Sequence, residues 1–440
     1  MIQSTAGMAA VPHLTTAQRG PLLALEEKLL ANQSEIETWL RRQWLITTPP
    51  FYASVDLRNA GYKLAPVDTN LFPAGFNNLN PAFDPLCRWA LQAAIQRVCP
   101  TAAGILLIPE KHTRNLFYLE NLARLAEMIS NAGFEVRIGT LAEEISEATE
   151  INLDSGRTLL LEPLQRQGNK VGVADFFPCA VLLNNDLSGG RPAILENIDQ
   201  PIMPPLDLGW NNRLKSQHFG VYRQVTEEFA QLLDIDPWLV DPLFRNCGQI
   251  NFKKNEGIEC LESNVAMLLE DIEEKYREYG IKDEPFVIVK SDAGTYGMGI
   301  MTVKSPEEIS QLNRKQRNKM ASAKEGLDVT GAIIQEGVYT SETWEPENAV
   351  AEPVVYMIDH HVVGGFYRVH KGRGTQENLN APGMQFEPLA FAEAGDCPDP
   401  NLSPDAEPNR FYAYGVVARL ALLAAAREID AISKRVSLPE

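Results

Sequence analysis

A lysine followed at short spacing by three glycines is the arrangement in this sequence that carries the most chemistry. In FVIVKSDAGTYGMGIMTVKSPEEI, Phe286 to Ile309, a β-rich run ends in Lys290. A turn then carries Gly294, Gly297 and Gly299, and a second strand returns through Ile300 to Val303. Glycines let backbone N–H groups approach a phosphate closely, and a lysine adds a fixed positive charge. Dinucleotide and P-loop turns join a strand to a helix, whereas this turn joins two strands. The topology points to a hairpin flap over a triphosphate; the plainer alternative is an ordinary hairpin with a glycine turn. SPEEI then opens a helix, with Ser305 at the N-cap and Pro306 in the first helical position.

A second concentration of functional groups lies in VDLRNAGYKLAPVDTNLFPAGFNNLN, Val55 to Asn80, which brings together Asp56, Arg58, Asn59, Lys63, Asp68 and Asn70. Recognition of a free amino acid takes a cation for its carboxylate and an acid for its ammonium group. Arg58 with Asp56 or Asp68 meets that need. Interleaved Tyr62, Phe72 and Phe76 make a plain linker a poor description, so Pro49 to Pro81 is expected to be ordered but loop-rich. The competing reading is a structural loop whose Asn and Asp residues make turns and caps.

The elements around these stretches follow from periodicity. Apolar positions from Ala17 to Leu45 have helical spacing. Ala103–Pro109, an amphipathic helix from Asn115 to Ala132, Gly133 as its C-cap and the strand FEVRIG form a β-α-β unit, which implies a parallel sheet. AVLLNND ends in Asn184, Asn185 and Asp186, and polar groups at the C-terminal end of a parallel strand are where open α/β sheets place ligands. Past Pro205 come helices over Asn211–Leu233 and Ser263–Tyr279. Strands are expected at Pro285–Lys290, Gly299–Val303, Ala332–Gln335, Glu352–Ile358 and His361–Arg368. Asp396–Pro408 reads as a surface loop, and a last helix covers Arg410–Ser433.

At 440 residues, the chain calls for two or three domains. Its 45% hydrophobic and 22% charged residues are those of a globular protein. A formal net charge of −18 argues against nucleic acid as a partner but leaves room for a local basic pocket that takes a small anion. The six cysteines form no CxxC pair and have no histidine at ligand spacing, so reduced thiols in a cytoplasmic enzyme are expected. The N-terminus lacks the pattern of a secretory signal, and no apolar run reaches the length of a membrane span. No serine stands in a GxSxG elbow and no cysteine has a histidine at recognisable spacing, so covalent nucleophilic catalysis is not expected.

The order of these pieces resembles the ATP-grasp superfamily. A lysine-bearing strand with a glycine flap is followed by GAIIQEGV, by the hairpin AEPVVYMIDHHVVGGFYRVH, and by the Asn-bearing GRGTQENLNAPGM. The likeness to glutathione synthetases and related ligases covers roughly Asn211 to Met384. It implies that Lys215 and Lys290 bind phosphate, that Gly294, Gly297 and Gly299 form the flap, and that Gln335, Glu336 and Val338 form the adenine hinge. Arg368 takes the place of an arginine that contacts the transferred phosphoryl group. The closing Glu-x-Asn pair that holds magnesium in many such enzymes is absent; Glu352, Asn378 and Asn380 are the candidates to hold the metal in its place, with the choice among them open, as oxygen donors of the kind Mg²⁺ prefers.

The Val55–Asn80 stretch, LLNNDLSGG and SDAGTYGMGIM are similar to the proteobacterial glutamate–cysteine ligases, over nearly the whole of Pro49 to Asp430. That resemblance implies ATP and Mg²⁺ as cofactors, glutamate and cysteine as substrates, and the first step of glutathione synthesis. The architecture expected is α/β: an N-terminal parallel-sheet domain over 1–205 that supplies the amino-acid pocket, then an ATP-grasp domain of two α+β subdomains over 206–440. Two other readings remain: a different carboxylate–amine ligase of the same fold, such as a glutathione synthetase-like or dipeptide ligase, and a nucleotide-binding regulator whose metal site has decayed.

Overall fold

The computed structural model describes residues 14–15, 20–111, 115–210, 212–248, 250–293, 299–321, 331–344, 346–388 and 410–436. The first half of the chain runs through α1 (Pro21–Ala31), α2 (Gln33–Ile46), β1 (Tyr52–Asn59), β2 (Leu64–Asn70), α3 (Asp84–Val98), β3 (Gly104–Pro109) and α4 (Leu116–Asn131). It continues with β4 (Glu135–Thr140), β5 (Thr149–Asn152), β6 (Thr158–Pro163), β7 (Val181–Asn184) and β8 (Ile202–Met203). The expected β-α-β unit is present as β3-α4-β4, with Asn115 capping the helix by accepting from the Tyr118 N–H at 3.3 Å. These strands build a sheet in the order β8-β7-β3-β4-β6-β5, parallel except for β5 at its edge. Every residue of β3 and β7 is buried, as strands covered on both faces require.

Two expectations are corrected here. Cys99 and Cys179 are disulfide-bonded rather than both being free thiols. Each precedes one of the neighbouring parallel strands β3 and β7, so both reach the same end of the sheet, where those strands begin, across a sequence separation of 80. The polar cluster after β7 is also not a ligand pocket: its amides bond within the protein. Asn184 Nδ2 donates to Pro73 O at 2.8 Å, Asn185 Nδ2 donates to Pro109 O at 3.1 Å, and Asn121 Nδ2 donates to Asn184 Oδ1 at 3.1 Å.

Next come α5 (Lys215–Leu233), β9 (Phe244–Cys247), α6 (Ile258–Tyr279), β10 (Val287–Ser291), β11 (Ile300–Val303) and β12 (Ala332–Glu336). The four strands form an antiparallel sheet in the order β9-β12-β10-β11. In α6, Ile258, Leu261, Val265, Leu268, Ile272 and Tyr276 recur at three- and four-residue spacing and are buried, and Gly280 ends the helix at φ 65°. Alternation along the strands divides the sheet: Val287 and Val289 enter the core, while Ile288 and Lys290 face the other way.

The chain closes with β13 (Ala349–Ile358), β14 (His361–His370), β15 (Gln385–Pro388) and α7 (Arg410–Val436). The third sheet runs β2-β1-β13-β14-β15, with neighbours antiparallel, and the two-residue strands Thr343–Trp344 and Leu14–Thr15 extend it beside Ala349 and Val350 of β13. Strands from both sides of residue 205 therefore share it. The region expected to be loop-rich is in fact a hairpin. Its Asn, Asp and Pro content hides the strand pattern, and a register shift between Asp56 and Leu57 breaks the alternation. Pro66 is tolerated because β2 pairs only with β1 among the described residues and needs no donor on its outer side. Asp396–Pro408 lies outside the described residues.

Helix α7 packs along α5 and against the third sheet. Its long apolar run is explained by burial: Val416, Val417, Leu420, Leu422 and Leu423 are all fully covered. Arg419 is buried within it and forks onto Glu37 of α2 at 2.7 and 2.8 Å. Among the described residues no helix is long and apolar enough to cross a membrane. Glu428, further along α7, accepts from Arg213 Nε at 2.9 Å and pairs with His218; Arg213 also donates to Thr69 O of β2 at 2.7 Å. Burial pushes the Glu428 carboxyl up, but Arg213 and His218 outweigh it and hold it at about 2. Replacing Glu428 by Gln should strand a buried guanidinium, destabilise the fold by roughly 3–5 kcal/mol and lower the midpoint of thermal unfolding by several degrees. An unchanged midpoint in differential scanning calorimetry would mean this network does not hold α7 to the hairpin.

Candidate active site

A cleft lies between the exposed face of the four-stranded sheet and the β2-β1-β13-β14 surface. It is open on one side and encloses about 820 Å³ when the space at its mouth is counted. Asp56, Arg58, Asp68, Lys215, Lys290, Gln335, Glu336, Val338, Glu352, Arg368, Asn378 and Asn380 all line it. Residues separated by more than three hundred positions are thus brought to one surface. Ile288, Ile300 and Val67 add apolar wall that the sequence did not mark out.

Strand β2 holds both lysines by their tips. Lys290 Nζ donates to the Val67 carbonyl at 2.7 Å, and Lys215 Nζ donates to Asp68 Oδ1, on the next residue, at 2.6 Å. Lys215 also sits over the Trp210 ring, 4.1 Å from its centre. Burial pushes the Lys290 ammonium down to about 8, against the pull of Asp68. Burial pushes the Asp68 carboxyl up, yet Lys215 and Lys290 bring it down to about 2.

Cross-strand pairing assembles the arginine side. Glu352 of β13 stands opposite Arg368 of β14, and Arg368 Nη1 donates to Glu352 Oε1 at 2.6 Å and to Asp56 Oδ2 at 3.0 Å. Arg58 Nε donates to Glu352 Oε2 at 3.1 Å and its Nη1 donates to Val338 O at 3.1 Å, while its Nη2 donates to Glu377 O. Burial raises the Asp56 carboxyl, Arg368 opposes the shift and Glu352 adds to it. Arg368 Nε and Gln335 Nε2 are buried and have no partner among the described residues. Donors left in that state cost about 1–3 kcal/mol each, and oxygen or nitrogen acceptors of a ligand are what would meet them.

The hinge strand is held from behind. Glu336 accepts from Lys63 Nζ at 2.5 Å, from Trp238 Nε1 at 3.1 Å and from the Leu243 N–H at 2.9 Å. Lys63 is wholly buried, 4.2 Å from the centre of the Trp238 ring. It was expected in the amino-acid pocket; the structure places it behind the hinge, where it neutralises Glu336. Gly337 follows because any Cβ there would lie 2.2 Å from the Phe286 ring. Asn59 and Asn70 also lie off the cleft. Asn59 Nδ2 donates to Tyr414 Oη at 3.1 Å and Asn59 Oδ1 accepts from the Gly61 N–H at 2.9 Å; Asn70 Oδ1 accepts from the Phe72 N–H at 2.9 Å. Both do the turn-making work of the competing reading. Gly299 takes φ 62°, which suits glycine, and Gly294 and Gly297 lie outside the described residues.

The expected metal ligands were Glu352, Asn378 and Asn380. Both carboxylate oxygens of Glu352 are taken by arginines, and Asn378 Oδ1 accepts from the Asn380 N–H at 2.9 Å. Among the described residues no group of three or more His, Cys, Asp or Glu side chains has the spacing of a metal site. The donors as arranged do not fit a resident Mg²⁺.

Comparison with known proteins identifies the family. A family model described as glutamate-cysteine ligase matches residues 26–429. A solved structure from Methylobacillus flagellatus KT, assigned as a gamma-glutamylcysteine synthetase, is 59% identical with a TM-score of 0.88, covering 96% of this chain and 99% of that one. A glutathione synthetase-like effector from Globodera pallida is 9% identical with a TM-score of 0.36, covering 83% of this chain and 82% of its own. Likeness at that level carries no argument. No curated protein matches the chain. With one family spanning nearly every residue that builds the cleft, the chain belongs to the glutamate–cysteine ligase family.

Proposed function

We propose that the cleft joins glutamate to cysteine through an acyl phosphate, with the chemistry done by charge and position. The chain is an ATP-dependent ligase by family. The observation that carries the proposal is the convergence of Lys215, Lys290, Arg58 and Arg368 on one cleft. Four cations there suit a triphosphate and a carboxylate, in a protein whose net charge is otherwise −18. Adenine lies between Ile288, Ile300 and Val338, against the Gln335–Val338 hinge, in the manner of the ATP-grasp enzymes that the sequence resembles. Lys215 and Lys290 take the phosphates, and Arg368, with its spare Nε, takes the phosphoryl group in transit. Glutamate sits beside Asp56, Arg58 and Asp68.

In the first step an oxygen of the glutamate γ-carboxylate attacks the γ-phosphorus of ATP. The bond to the bridging oxygen breaks and ADP leaves with the electron pair. In the second step the neutral amine of cysteine attacks the γ-carbonyl carbon, phosphate leaves with its electron pair, and the amine loses a proton. Phosphate is a good leaving group, so no enzyme nucleophile is needed. Fixed cations around the developing charge supply the stabilisation. The reading keeps the reaction in the cytoplasm because cysteine must arrive with its thiol reduced, although the Cys99–Cys179 bond is of a kind uncommon there.

The direct test is ADP release by the purified protein, supplied with ATP and magnesium, with each amino acid alone and with both. Release that needs both glutamate and cysteine supports the proposal, and release with a different amino-acid pair points to another ligase. Lys290→Ala should lower turnover at least about a hundredfold, the scale for loss of one charge-stabilising group; near wild-type turnover would remove Lys290 from the site. Protonated Lys290 binds phosphate and neutral Lys290 does not, so KM for ATP should rise as pH passes upward through about 8. A KM for ATP that stays flat from pH 7 to 9 would contradict that assignment.

A further inference from the structure

The tips of the two lysines are fixed by β2, but their backbones belong to separate elements, the start of α5 and the end of β10. One residue joins those elements. Asp292 follows Lys290 by two positions, is buried and does not line the cleft. Its Oδ1 accepts from the Ser216 N–H at 2.7 Å and its Oδ2 from the Ser216 hydroxyl at 2.7 Å. Its carbonyl accepts from the Lys215 N–H at 2.8 Å, and its own N–H donates to Gly331 O at 3.1 Å, continuing the pairing of β10 with β12.

Lys215 and Ser216 are the first two residues of α5, and the preceding residue, Leu214, offers no side-chain cap. The leading N–H groups of a helix have no partner inside it. Asp292 supplies both missing acceptors from a segment 76 residues away, and its negative charge sits where the helix dipole favours one. Among the described residues the carboxylate bonds no lysine or arginine, and both its oxygens are spent on Ser216 at the helix end.

We propose that Asp292 is a positioning residue for ATP: it clamps the N-terminus of α5 to the end of β10, so that Lys215 and Lys290 keep a fixed relation across the cleft. The proposal rests on the reading that this cleft binds ATP.

The test is a double-mutant cycle in ADP release. Wild type, Asp292→Ala, Lys215→Met and the double variant are compared by KM for ATP, KM for both amino acids, and kcat. Asp292→Ala should raise KM for ATP about tenfold, between the loss of a helix cap and the loss expected from an ångström-scale misplacement, and should change the amino-acid KM values less than about twofold. In the Lys215→Met background the same substitution should change KM for ATP less than about twofold, because the group that it positions is gone. Equal fold-changes in the two backgrounds, or an unchanged KM for ATP in Asp292→Ala, would overturn the proposal. Should Asp292→Ala fail to fold, Ser216→Ala takes its place: about a threefold rise that vanishes with Lys215→Met is expected, and no rise overturns the proposal. A wild-type chain that releases no ADP would sink the ATP reading itself, and the clamp with it.

Discussion

Like charges held close together are the constraint on which the rest of this structure depends. Lys215 and Arg58 are near enough to Lys290 to depress its ammonium further, beyond what burial alone does. Such a cluster stands only if acids and acceptors are built in around it, because an unpaired buried charge costs several kcal/mol. Asp68 answers the lysines, Asp56 and Glu352 answer Arg368, and Glu352 answers Arg58 as well. The meeting of two sheets at the cleft meets this need. The lysines come from α5 and β10, and the acids and arginines from β1, β2, β13 and β14, so no single sheet carries a complete set.

The same constraint gives the cleft its character. Every carboxylate that faces it is engaged by a cation of the protein, which leaves the protein's own acids where a ligand's acidic groups would otherwise be. Behind the cleft the logic is repeated in a dry form: Lys63 neutralises Glu336 beneath the aromatic rings of Trp238 and Tyr62, which stack at 6.0 Å, and so keeps a buried carboxylate from repelling a nucleotide.

What the sequence disclosed and what it hid have a common physical reason. Lys290, Gln335 and Arg368 lie in strands that the residue pattern marks out, and the resemblance, rather than that pattern, singled them out with Val338 just beyond the strand end. Asp56 and Arg58 were recognisable as chemistry, but their strand was not. A bulge and a proline disguised a hairpin that only an edge position makes possible. Lys63 was misplaced because charge in a polar stretch looks exposed, and only its partner, 273 residues away, makes burial tolerable. The Cys99–Cys179 bond and the Asp292 clamp were invisible for a similar cause. Each joins segments that meet through sheet topology, which spacing along the chain does not encode. Asp292 before a glycine turn reads simply as a turn residue.

A crystal structure of the protein with ADP bound tests the central claim most directly. The phosphate oxygens should lie within hydrogen-bonding distance of both Lys215 Nζ and Lys290 Nζ, with Asp68 no longer the partner of Lys215. Nucleotide bound elsewhere, or phosphates turned away from both lysines, would contradict the account.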